Sequence, residues 1–394
     1  MKFFRVNLFW GKTRANFVAL FFFNFIAAFS FARAQENGDW KIVEPGWRYE
    51  FPRDHSPHAD FKTEWWYFTG NLRDEKSGRE FGYQLTWFRE GILPLGERDS
   101  ALSRFVVRDL KFAHFTISDL RADEFFFSQR ISRGAFGEAG FGAAPGKIAW
   151  IENWQLFFSE NGTDGAKNGV SKINASDENR ALDLQLVPEK PPVIHGENGV
   201  SQKAEGAGHA SCYYSFTRLR TSGTLSLRGA NFAVRGESWF DHEWATNQLA
   251  PDQAGWNWFS IQLSDQSELM LYQMRKRDGS SDPNSSGTFI FPNGESAHLT
   301  REDFELTPLA WWKSAATGGR YPLRWRLRIA RLALDLEIAT PLEKQELALE
   351  SLAYWEGAIR VSGTRENRAV SGHGYMELTG YTAALPGLRA PEKR

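Results

Sequence analysis

Trp239-Phe240-Asp241-His242-Glu243-Trp244 and Glu64-Trp65-Trp66-Tyr67-Phe68 decide the reading of this chain, and Trp256-Asn257-Trp258-Phe259 follows the first of them closely. Tryptophan is normally scarce, yet the chain holds 16, and they crowd beside carboxylates in strand-like runs. The aromatics sit among Thr, Val and Gly more than in Ala-rich stretches, which favours strands over helices. Flat apolar walls next to titratable acids suggest a pocket for a hydrophobic or carbohydrate ligand.

Working outward, short alternating runs punctuated by turn residues recur along the chain. Glu64–Leu72, Arg79–Phe88, Phe112–Ser118, Ala181–Leu186, Tyr213–Leu219, Gly223–Leu227, Phe259–Leu263 and Glu268–Arg275 are of this kind. Leu323–Ile329 and Leu332–Ile338 read as a further strand pair. Ala101–Leu110 and Arg301–Leu306 read as short helices. The Gly-, Asn- and Ser-rich stretch Asn161–Glu178 reads as an exposed loop. The predicted class is all-β, an antiparallel sandwich or barrel.

An internal repeat refines this. Tyr214–Thr224 resembles Tyr354–Thr364, Val234–Asp241 resembles Val370–Glu377, and Trp65–Leu72 resembles Trp256–Leu263. In this register Asp241 corresponds to Glu377. Two related β-barrels are expected, spanning 35–225 and 226–394.

The first residues are read as an export leader, 1–34. Lys2, Arg5, Lys12 and Arg14 precede the apolar run Phe17–Phe29, and Ala32-Arg33-Ala34 has the form of a cleavage site. Cleavage near Ala34 would make the protein periplasmic or secreted. It removes five of the 47 basic residues (Lys2, Arg5, Lys12, Arg14 and Arg33), leaving 42 against 48 acidic ones, a net charge of −6. No basic patch stands out, which argues against nucleic-acid binding. Cys212 is the single cysteine, so no internal disulfide can form, and it reads as a small buried hydrophobe.

Side chains alternate between the faces of a strand. Trp239, Asp241 and Glu243 therefore share one face of the second cluster, and Phe240, His242 and Trp244 share the other. The alternation does not say which face meets a ligand. A carboxyl group desolvated beside a second carboxylate can stay protonated near neutral pH, and indole faces stabilise a cation. That combination suits proton donation to an alkene. The competing reading is structural: such carboxylates pair with arginines, for which Arg218, Arg220, Arg235 and Arg360 are available. The candidate ligand-binding positions are Glu64, Trp65, Trp66, Tyr67, Tyr214, Trp239, Trp244, Trp256, Trp258, Gln262 and Glu377. No metal or other cofactor is expected. His55-Ser56-Pro57-His58-Ala59-Asp60 reads as an exposed loop, and Asp241-His242-Glu243 splits its side chains between two faces. Neither a phosphate-binding Gly-rich loop nor a nucleophile elbow is present.

Seven segments give the chain a family resemblance: His58–Leu72, Gln84–Arg89, Lys190–Gly196, Ser238–Trp244, Gly255–Phe259, Tyr354–Gly357 and Gly374–Tyr381. Over nearly the whole chain beyond the leader it resembles the AttH-like lipocalin family, which includes the carotenoid 1,2-hydratases and is similar to fungal-type Diels-Alderase pocket proteins. The resemblance implies two packed lipocalin-like barrels with a pocket near their junction. It puts Asp241 forward as the acid, with His242 or Glu243 orienting it or the water. Three functions are consistent with it: a hydratase-like enzyme for an isoprenoid or other apolar substrate, a non-catalytic periplasmic lipid carrier with membrane-surface contact, and a carbohydrate-active hydrolase.

Overall fold

The computed structural model describes residues 40–97, 103, 106–160, 169–349 and 353–382. The expected leader and residues 101, 102, 104 and 105 of the expected Ala101–Leu110 helix lie outside these, and Asp109 and Leu110 at the end of that helix are in a strand instead. Strands carry the architecture. The first sheet contains β1 (Thr63–Asp74), β2 (Glu80–Gly91), β3 (Asp109–Asp119), β4 (Glu124–Ser132), β5 (Ala139–Phe141), β6 (Gly146–Ile151), β7 (Trp154–Ser159), β8 (Val170–Asp177), β9 (Arg180–Pro188), β10 (Val193–Ile194), β11 (Ser201–Gln202), β12 (Ala210–Leu227) and β13 (Ala230–Ala245). The second contains β14 (Gln253–Leu263), β15 (Glu268–Lys276), β16 (Ser286–Ile290), β17 (Ser296–Leu299), β18 (Glu305–Lys313), β19 (Arg320–Ile329), β20 (Leu334–Ala339), β21 (Glu346–Ala348), β22 (Ala353–Arg365) and β23 (Arg368–Leu378).

Both sheets are antiparallel and curled, one into a nearly closed barrel and the other into a half-barrel. The first runs β4-β3-β2-β1-β13-β12-β9-β8-β7-β6-β5, and the second β17-β16-β15-β14-β23-β22-β20-β19-β18. The expected helix at Arg301–Leu306 is a single 3-10 turn, Arg301–Asp303, capped by Thr300, after which Glu305 begins β18. The stretch expected as a loop at Asn161–Glu178 includes β8, whose alternating Ser171, Ile173 and Ala175 are buried.

The expected boundary between residues 225 and 226 falls inside β12 and is corrected by the topology. β12 and β13 form one hairpin of the first sheet, and the change of sheet comes between Ala245 and Gln253. The repeat hid this because its strands are not contiguous blocks. Each copy takes an early aromatic strand, β1 or β14, and closes on it with a late hairpin, β12–β13 or β22–β23.

The two interiors are separate apolar cores. Trp66, Phe68, Trp87, Phe115 and Trp154 pack inside the first sheet; Phe259, Trp325, Leu327, Trp355 and Met376 pack inside the second. A third apolar group, including Tyr67, Tyr213, Trp239, Trp258, Met270 and Tyr375, joins the outer faces. Gly82 allows close approach here, since a Cβ on it would lie 2.6 Å from the Tyr375 hydroxyl. Gln262 is a polar tie at the same seam. Its amide donates to the carbonyls of Thr217 (2.8 Å) and Ser238 (3.0 Å). Buried Glu268 is another, accepting from Arg218 Nε at 2.6 Å and Lys190 Nζ at 2.7 Å.

Candidate functional site

The strand β1, the Ala210–Leu219 part of β12 and the Ser238–Ala245 part of β13 are buried on both faces, so these stretches lack the polar-out alternation of an exposed sheet. One face looks into the first barrel and the other toward the second sheet. A cavity of about 350 Å³ lies between the sheets. Trp65, Tyr67, Tyr213, Asp241 and Glu243 line it from the first sheet, and Trp256, Trp258, Tyr354, Glu356 and Glu377 from the second. Phe88, Leu110 and Phe112 extend the apolar wall.

This settles the two faces of β13. Asp241 and Glu243 meet the cavity; Trp239 lies on the same face, buried, with its indole N–H donating to Asp241 Oδ1 at 2.6 Å. His242 and Trp244 point into the first barrel, as do Glu64 and Trp66 from β1 and Tyr214 from β12. His242 therefore cannot orient Asp241 or a water in the cavity. Gln262 is spent on the seam between sheets.

The inward group forms its own network. Glu64 is fully buried and accepts from the backbone N–H of His58 and from Arg89 Nε at 3.1 Å. Its Oε1 also contacts His58 Nδ1 at 2.8 Å and His242 Nε2 at 3.0 Å. Burial pushes the Glu64 carboxyl up, but the bonds to His242 and His58 win and hold it below the usual carboxylate range. His58 stacks on Trp244 with ring centroids 3.7 Å apart. Among the described residues, His58, Glu64 and His242 are the group whose atoms converge as metal ligands would. The Arg89 guanidinium and the His58 amide already occupy the carboxylate. His55-to-Asp60, expected as an exposed loop, supplies His55, buried, and His58 to this network.

On the cavity side Asp241 has no salt-bridge partner among the described residues. Its Oδ2 accepts from the Tyr213 hydroxyl at 2.9 Å, and its Oδ1 accepts from Ser215 as well as Trp239. Burial raises its pKa to about 7, against these three hydrogen bonds and with a further push from the Glu243 charge. None of the arginines considered as partners reaches it. Arg218 binds Glu268 and Glu237, Arg235 binds Glu75, and Arg360 binds Glu80. Glu243 differs, since Lys203 Nζ lies 3.2 Å away and sits over the Tyr272 ring.

Opposite stands a carboxyl pair. Glu356 and Glu377 are direct cross-strand partners on β22 and β23. Burial raises Glu377 to about 7, with Trp256 Nε1 donating to it at 3.0 Å. Burial and the Glu377 charge push Glu356 well above the usual range. Like charges so placed cannot both ionise cheaply, so the pair retains a proton near neutral pH. The cavity thus presents, on two walls, carboxyl groups whose pKa is raised toward neutrality, framed by indoles and phenols.

Sequence reasoning missed Tyr213, Ser215, Lys203, Tyr354 and Glu356. The Tyr213 error has a definite cause. Between Phe216 and Leu219 the β12–β13 register shifts by one residue, a β-bulge. The repeat aligns Tyr214 with Tyr354, but upstream of the bulge Tyr213 takes that place in space. Glu356 lies within the segment Tyr354–Gly357 that carries the family resemblance, so a signal for it existed. Lys203 comes from an irregular segment with no pattern to mark it.

The arrangement can be set beside known proteins. The model of a family described as AttH-like matches residues 42–381. Kievitone hydratase of Fusarium solani subsp. phaseoli is 24% identical over 327 residues, 78% of this chain and 85% of that protein. An AttH protein of Nitrosomonas europaea, of known crystal structure, superposes with a TM-score of 0.75 at 33% identity, covering 86% of this chain and 99% of that one. The crystal structure of kievitone hydratase from Nectria haematococca superposes with a TM-score of 0.65 at 18% identity, covering 88% and 97%, a likeness of fold.

Proposed function

The chain belongs to the AttH-like family, and on that premise we propose that it binds an apolar alkene in the cavity between its sheets and adds water across the double bond by acid catalysis. The observation that carries this reading is Asp241: a buried carboxyl facing an aromatic cavity, free of any salt bridge, with its pKa raised to about 7. A general acid works best with a pKa near the working pH. Its acidity supplies the proton of the new C–H bond and leaves a carbocation, which Trp65, Trp256 and Trp258 stabilise through their ring faces. Water closes the new C–O bond and surrenders a proton to the carboxylate side. The hydratase similarity of the curated relative supports the same chemistry. A carbohydrate hydrolase would need an open polar groove, whereas most of this surface is Trp, Tyr, Phe and Leu around a few carboxyl groups.

The ligand class we favour is isoprenoid, of a size that about 350 Å³ admits. Geraniol, farnesol and geranylgeraniol, each incubated with the protein in H2 18O, form the test. Incorporation of one labelled oxygen, seen by mass spectrometry and absent with Asp241→Asn, supports the reading. Native mass spectrometry showing a bound isoprenoid without labelling would convert it to the lipid-carrier reading; no bound apolar ligand and no labelling would end both.

We also propose export to the periplasm or beyond. A mature N-terminus near Gln35 in the periplasmic or extracellular fraction supports this, and an intact leader on cytosolic protein opposes it.

A further inference from the structure

A buried histidine stands behind the acid. His195, directly after β10, is fully buried and bridges the two sheets. Its Nε2 lies 2.6 Å from the Ser215 hydroxyl on β12, and its Nδ1 lies 2.8 Å from the Thr288 hydroxyl on β16. Ser215 in turn donates to Asp241 Oδ1. Donor and acceptor counting fixes the direction of this chain. The Ser215 proton is committed to Asp241, so its oxygen accepts from His195 Nε2–H. A neutral imidazole then has a lone pair on Nδ1, which takes the Thr288 proton. Burial, with the Lys203 charge, pushes the His195 pKa well down, in keeping with the neutral ring.

The consequence falls on Asp241. Its Oδ1 already receives two donors, from Ser215 and from Trp239 Nε1. An oxygen so saturated is a poor seat for the acid's own proton. Oδ2 has one neighbour, the Tyr213 hydroxyl, which itself accepts from Trp258 Nε1 at 3.1 Å. When Asp241 is ionised, Tyr213 donates to Oδ2. When Asp241 is neutral, Oδ2–H donates to the Tyr213 oxygen and the phenolic proton is free to turn toward the cavity that Tyr213 lines.

We propose that Tyr213 is the group that hands the proton to the ligand, and that His195 is a positioning residue which, through Ser215, keeps the acidic proton of Asp241 on Oδ2. The proposal rests on the hydration reading. In the step, the alkene π pair takes the Tyr213 proton and a C–H bond forms. The Tyr213 oxygen takes the Oδ2 proton as its own O–H breaks, leaving an Asp241 carboxylate and a carbocation. Water adds to the cation, and its released proton returns to Asp241 through Tyr213. Each residue ends in its starting state, and the net change is one water added. The titratable groups facing Asp241 are Tyr67 from β1, Tyr213 from β12 and Glu243 on its own strand, the last paired with Lys203.

The test uses the full chain labelled with 13C at aspartate side chains, the Asp241 resonance being assigned by its loss in Asp241→Asn. Weakening a donor to the carboxylate disfavours its charged form, so Ser215→Ala, His195→Leu and Thr288→Val should each raise the Asp241 midpoint. The expected rise is about one pH unit for Ser215→Ala, a tenfold change in proton affinity, and less for the more distant two. His195→Gln, which can still donate to Ser215, should restore the wild-type midpoint. An unmoved midpoint in Ser215→Ala and in folded Thr288→Val would overturn the positioning role. Tyr213→Phe should lower kcat for the labelled-water reaction about 100-fold with KM within twofold; kcat within threefold of wild type would overturn delivery through Tyr213. A moved midpoint with no hydration of any isoprenoid would leave the positioning intact and refute the hydratase reading instead.

Discussion

Asp241 and Glu377 occupy one and the same place in two related strand arrangements. Asp241 lies opposite Tyr67 on β1 and Ser215 on β12; Glu377 lies opposite Trp258 on β14 and Glu356 on β22. Both face the cavity between the sheets, and burial raises both to about 7. What separates them is the neighbour across the hairpin, a hydroxyl in one case and a second carboxyl in the other.

Asp241→Asn should abolish most turnover while stabilising the fold at alkaline pH. The folded pKa of Asp241 lies above its unfolded value, so folding binds a proton between about pH 4 and pH 7 and stability falls as pH rises through that window. Removing this titration removes the share of the slope that Asp241 contributes, and Glu377 and Glu90 keep theirs. The expected gain at pH 8 is up to about 4 kcal/mol, read from urea unfolding of both proteins at pH 5 and pH 8. A wild-type slope retained in the variant would mean that Asp241 is not the group responsible.

Glu243→Gln should move the alkaline limb of the pH–rate profile to lower pH. The Glu243 charge is one of the influences that raises Asp241, so neutralising it lets Asp241 ionise earlier. A shift of about half a unit to one unit is expected, given how close like charges act. A limb that stays in place, or moves up, would exclude this coupling.

Glu64→Gln should cost the fold about 3–5 kcal/mol, because it leaves Arg89 and His58 without their buried carboxylate. Glu64 has a folded pKa below its unfolded value, so its contribution is present above about pH 4.5 and fades as pH falls. Chemical denaturation at pH 7 and pH 3.5 measures both; the wild-type-to-variant gap should narrow in acid. Because Glu64 faces away from the cavity, KM for any substrate identified should change little in protein that remains folded.

Gln262→Leu should loosen the seam between the sheets. It strips the donors from the Thr217 and Ser238 carbonyls, two buried acceptors. The expected loss is about 2–4 kcal/mol, with hydrogen exchange accelerated at the β12, β13 and β14 amides. Unchanged stability would show that other groups can satisfy those carbonyls.

The strand-rich fold and its duplication were legible because aromatic and acidic residues recur in the same order in both copies. The choice between faces was not. In β13 every residue from Trp239 to Ala245 is buried, so alternation separates two sets without ranking them. The ranking comes from the second sheet, which covers Asp241 and leaves His242 to the first barrel. Ser215 was illegible for a different reason: it matters only through its cross-strand neighbour, and pairing depends on register. Lys203 and His195 come from segments flanking short strands, where no periodicity points to a partner.

The bulge between Phe216 and Leu219 bears on how such a scaffold can diversify. A duplicated hairpin with strictly equal copies would present the same neighbours to both acids. In β12 the bulge absorbs one additional residue, so that Ser215 rather than Phe216 stands opposite Asp241, and Tyr213 rather than Tyr214 opposite Glu243. A local backbone irregularity thus decides which side chains of one sequence meet the acid, and it keeps Tyr214 and Phe216 as aromatic filling of the first core. Deleting Thr217 would straighten β12 and still leave Ser215 opposite Asp241 and Tyr213 opposite Glu243, so a length change taken up at the bulge leaves the membership of the cavity intact.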